Sequence, residues 1–69
     1  MEFDIYGRFR LEIVPTAAGG WQAYRVAAGK RVPANGIIIP ADLAAGDLAE
    51  YLDDLLHELS PPGGKIIRL

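Results

Sequence analysis

Glu50, Asp53, Asp54 and His57 follow one another at helical spacing, i, i+3, i+4 and i+7. Carboxylates and an imidazole so placed can hold a divalent metal. The same spacing describes any solvated helix face, and a nearby carboxylate simply raises the proton affinity of a histidine. A solvated acidic face is therefore the expectation, with no metal. His57 is the sole histidine, and the only serine is Ser60, three residues on. A nucleophile and its base must lie within hydrogen-bond reach, but a helix-terminal serine is more simply a cap. Pro62-Gly63-Gly64-Lys65 and Ala28-Gly29-Lys30 put glycine before lysine. Neither has the GxxxxGK[ST] spacing that cradles phosphate, so both read as turns. Cysteine is absent, which removes disulfides, thiolate metal sites and cysteine nucleophiles. The expectation is a protein that is not an enzyme and uses no cofactor.

A binding surface is the better prospect. Tyr6, Arg8 and Arg10, joined by Trp21 and Arg25, combine aromatic rings with guanidinium groups. Such a set can stack bases and neutralise phosphates, and both residue types are enriched in protein hot spots. Glu2, Asp4 and Glu12 share the same stretch, and the formal charge is −2. Nucleic-acid modules are usually basic. A protein partner or a second copy of the chain is therefore expected first, and nucleic acid second. Charge is also segregated. Residues 42–60 hold six acidic residues and no Lys or Arg; the remainder holds seven basic against three acidic residues, a net +4. The domain is electrically two-sided.

The elements that position these groups follow from a change of period near Pro40. Phe3, Ile5, Phe9, Leu11 and Ile13 alternate, with Gly7 on the same parity. Leu48, Tyr51, Leu52, Leu55, Leu56 and Leu59 recur at helical spacing. The first pattern predicts a strand over 3–14 whose odd residues face a helix and whose even residues, Tyr6, Arg8, Arg10 and Glu12, face away. A tight turn at Tyr6-Gly7-Arg8 is the rival. A turn over 15–20 leads to a second strand over 21–26. There the parity is ambiguous, and the favoured register puts Tyr24 and Val26 inside and Arg25 outside. Lys30–Val32 and Ile37–Ile39 make a third strand broken at Pro33 and Asn35-Gly36. The helix begins near Ala44 or Ala45; with Ala44 at the cap, Leu43 and Leu48 are the staple residues, and Pro61-Pro62 stops it. Lys65–Leu69 adds a short last strand. The fold class is α+β: a small antiparallel sheet of three to four strands with one amphipathic helix on one face, in the order β-β-β-α-β.

Sixty-nine residues make one domain over 1–69 whose core is a single helix-on-sheet contact. Such a chain buries only about 60% of its unfolded surface, and self-association is one way to add more. No leader or membrane span is read from the sequence, so a cytoplasmic protein is expected. Abundant Ala, Gly, Leu and Pro point to a bacterial source.

The stretches DIYGRFRLEIV, WQAYR and YLDDLLHELSPPGGKI resemble a family of small uncharacterised bacterial proteins of about this length, which implies no activity. The β-β-β-α-β order, with Gly19-Gly20-Trp21 opening the second strand, is similar to the HicB-type antitoxin domain. That resemblance implies a regulatory, nucleic-acid-linked role. The loop typical of those antitoxins, between third strand and helix, is replaced here by GIIIPADLAAG.

Overall fold

A computed structural model describes residues 1–59 and 62–69. Ser60 and Pro61, to which the cap and the helix stop were assigned, lie outside the described residues. Five antiparallel strands form one sheet: β1 (Glu2–Ile5), β2 (Phe9–Pro15), β3 (Trp21–Ala27), β4 (Lys30–Pro33) and β5 (Ile66–Arg68). Their spatial order is β4-β3-β2-β1-β5. The helix α1 (Leu48–Leu56) lies between β4 and β5 in sequence, with a 3₁₀ turn at each end. The class is α+β as expected, with one strand more than the upper count.

The extra strand comes from the first alternating stretch, which is a hairpin and not one strand. Tyr6 and Gly7 both have positive φ, 55° and 72°, and Arg8 N–H donates to Ile5 O at 2.9 Å. Two consecutive positive φ values under such a bond make a type I′ turn. The β3–β4 hairpin repeats the device at Ala28 (φ 52°) and Gly29 (φ 76°). Asp4 secures the first turn by accepting from Gly7 N–H at 3.2 Å.

Facing residues across an antiparallel pair share a side of the sheet. Phe3 faces Leu11, and Ile13 faces Ala23, and all four are at most 1% exposed. Leu48 and Leu52 of α1, both 0% exposed, close the core over them. The register of β3 is thus the reverse of the favoured one. Ala23, opposite Ile13, is inside at 1% exposure, and Tyr24 faces out opposite Glu12.

Residues 37–39 form no strand. The chain turns at 34–37, where Ile37 N–H donates to Ala34 O at 3.0 Å, then runs beneath the sheet and buries Ile39. Tyr51 ties this crossing segment to α1 by donating to Ile38 O at 2.6 Å. The 3₁₀ turn Ala45–Asp47 has Ala44 at its cap position without a side-chain bond. Leu43 packs on the core beside Leu48, as a staple requires. Leu55, which the helical spacing put on the apolar stripe with Leu52 and Leu56, is 45% exposed. Cover on the inner side also stops short laterally: along the row Phe3, Leu11, Arg25, Val32, the first two are buried and the last two exposed.

Candidate functional site

The two type I′ turns lie at the same end of the sheet, because Arg10 faces Val26 across β2 and β3. Between them is an open cleft of about 430 Å³. It is lined by Arg8 of the first turn, by Arg10 of β2 and Arg25 of β3, whose side chains leave opposite sides of the sheet, and by residues 27–29. Its third element is the Phe9 ring, over which the Arg25 guanidinium sits at 4.5 Å. That stacking fixes the guanidinium plane while leaving its N–H edge free.

Arg25 was expected on the outer face. It lies on the inner one, beyond the edge of the helix layer, so solvent reaches its charge. Three of the five expected binding residues therefore line one cleft, though they come from both sides of the sheet and its tip, not from one face.

Among the described residues the one ion pair within 4.0 Å is Arg31 with Glu12, at 2.5 Å. Arg31 also stacks on Tyr24 at 4.4 Å, and its bond to Glu12 holds its guanidinium more firmly protonated than usual. It is occupied on the outer face. Among the described residues Arg8, Arg10 and Arg25 have no such carboxylate, and Asp4, opposite Arg10, turns to Gly7 instead. The cleft is thus bordered by three arginines, residues whose guanidinium forks suit carboxylate or phosphate oxygens.

Tyr6 and Trp21 are elsewhere. Tyr6 was expected to face away from the helix; its turn conformation aims it inward, where it is 7% exposed. Its hydroxyl donates to Asp53 Oδ1 at 2.5 Å. Burial, then that bond and the charges of Asp53 and Asp54, push its pKa up to about 12. Trp21, half-buried on the inner side opposite Pro15, donates from Nε1 to Leu43 O at 3.0 Å. Both residues hold the covering layer in place.

The acidic helix residues also separate. Asp53 takes the Tyr6 hydroxyl, and His57 Nδ1 donates to Asp54 O at 3.0 Å. Among the described residues no group of three or more His, Cys, Asp or Glu side chains is arranged to hold a metal. Asp47, Glu50 and Asp54 instead edge a shallow cleft of about 240 Å³ with Tyr51 and Leu43. Sequence reasoning missed Phe9 and the 27–29 wall. The signal was the Ala28-Gly29 pair between two short strands, a two-residue hairpin loop that places its tip beside the first one.

The family model of a domain of unknown function, DUF7661, matches residues 1–69, so the chain belongs to that family. No curated protein and no solved structure matches it.

Proposed function

We propose that this DUF7661 member is a non-enzymatic interaction domain that binds a carboxylate-bearing protein surface, on another protein or on a second copy of itself. The observation that carries this is that Arg8, Arg10 and Arg25, none with a carboxylate partner among the described residues, line one cleft in which Arg25 stacks on the Phe9 ring. Guanidinium groups next to an aromatic ring are typical interface anchors. Among the described residues the cleft holds no nucleophile and base, and His57 is turned to a backbone carbonyl. Among the described residues no helix is long and apolar enough to cross a membrane; the proposed setting is bacterial cytoplasm.

The same cleft supports a second reading, a nucleic-acid-binding or antitoxin-like regulatory module, because guanidinium groups recognise phosphate equally well. The net charge of −2 weighs toward the protein partner. An NMR titration separates the two. A short polyglutamate peptide should shift the Nε–H signals of Arg8, Arg10 and Arg25, and Arg8→Ala/Arg25→Ala should abolish the response. A single-stranded oligonucleotide that binds more tightly, with an affinity falling steeply as salt rises, would favour the second reading. No response to either sinks both.

A further inference from the structure

The arginine cleft has a complementary surface on the same chain. Asp47, Glu50 and Asp54 edge the shallow cleft on the exposed side of α1, with Tyr51 between them. The helical segment 42–60 carries −6 and the rest of the chain +4. Within one molecule these opposite charges do not meet: among the described residues the only ion pair is Arg31 with Glu12, away from both clefts. Three exposed arginines line one cleft with Phe9, and three exposed acidic residues line the other with Tyr51. A concave basic site and an acidic helix face of equal and opposite charge match in a second copy.

We propose that the arginine cleft of one copy receives the Asp47–Glu50–Asp54 face of the next. This deepens the function proposed above, on which it rests, by making the partner a second copy. The two surfaces are different patches, so the contact is heterologous, head to tail. A copy that has given its helix still has an open cleft, and association continues until a ring closes or a chain end is reached. Carboxylate–guanidinium contacts at a solvent-accessible site are screened by salt, so assembly should be strongest at low ionic strength.

The experiment is sedimentation velocity on three proteins: the unaltered chain, Arg8→Gln/Arg25→Gln, and Glu50→Gln/Asp54→Asn. All four positions are exposed, and circular dichroism checks that each variant is folded. The unaltered chain should form concentration-dependent oligomers at about 50 mM salt that dissociate at about 500 mM, where the screening length falls to a few ångströms. Each double variant alone should sediment as a monomer. Mixed in equal amounts, they should form a species of two chains and nothing larger. Each contributes one intact surface, the acidic helix of the first and the arginine cleft of the second.

A folded pair that stays monomeric when mixed overturns the proposal. So does an oligomer that persists in either variant alone, because it uses other surfaces. If the polyglutamate peptide binds the cleft while the unaltered chain stays monomeric, the carboxylate-binding function stands and the self-association fails. If neither occurs, both fail.

Discussion

Tyr6→Phe isolates one bond at the centre of the fold. The ring of Tyr6 is 7% exposed and packs in the core, while its hydroxyl donates to Asp53 Oδ1 at 2.5 Å. Phenylalanine keeps the ring and removes the donor. A hydrogen bond to a charged group contributes about 1.5–3 kcal/mol. Asp53 is exposed, so water takes over the vacated oxygen and the loss should fall near the lower end, about 1.5 kcal/mol. In a domain of this size that lowers Tm by roughly 6–12 °C. Urea unfolding at neutral pH, with the Asp53→Ala variant and the double variant, should give a coupling of about 1 kcal/mol. The pH dependence has a definite sign. Folding raises the phenol from its ordinary 10.0 to about 12, so the protonated form is favoured in the native state. This stabilisation is complete below pH 10 and is lost as pH rises through about 12. Tyr6→Phe should remove that alkaline component. A variant within about 0.3 kcal/mol of the unaltered chain, or strictly additive with Asp53→Ala, would refute a latch between the first hairpin and the helix.

Leu52→Ala should cost about 2–5 kcal/mol, since Leu52 is fully buried, whereas Leu55→Ala at 45% exposure should cost less than about 1 kcal/mol; chemical denaturation ranks them. Ala28→Asn should raise stability by up to about 1 kcal/mol, because Ala28 sits at φ 52° in a type I′ turn where asparagine is favoured; an unchanged or lower Tm would argue against that turn. Zinc and EDTA should leave Tm unchanged, since Asp53 and His57 are engaged elsewhere; a zinc-induced rise that vanishes in His57→Ala would show a metal site.

The two periodicities were enough to locate the sheet and the helix, and the failures were specific. In the first hairpin Ile5 faces Phe9 and Phe3 faces Leu11. A loop of three residues between them preserves odd parity on one face, so alternation alone reads identically for one strand or two. Length was the neglected signal, since strands average about five to six residues and twelve were assigned. The inner face of β3 was misread because charge was used to place Arg25 outside. At the sheet end the covering layer has stopped, and an inward-facing arginine costs nothing there. Tyr6 was misplaced for a related reason: a residue at positive φ leaves the alternation of its strand. Arg8, Arg10 and Arg25 were recognisable by type. Their meeting point was not, because it depends on two turns being neighbours in space.

The order β4-β3-β2-β1-β5 also sets a sequence of assembly. β1 through β4 form a meander in which each strand pairs with its immediate predecessor, so only short loops need close. β5 alone pairs with β1 from almost the whole length of the chain away, Phe3 facing Arg68. Loop closure grows costlier with separation, about 0.6 kcal/mol per doubling of length, and the bonds recovered are those of a three-residue edge strand. The meander should therefore form early, and the arrival of helix and last strand should be the final, slow event. In native-state hydrogen exchange the amides of β5 should open first and those of β2, paired on both sides, last. The arginine cleft is built entirely within the meander, whereas Asp47, Glu50 and Asp54 belong to the part that arrives late and leaves early. Local opening would thus withdraw the acidic surface while the basic one stayed intact.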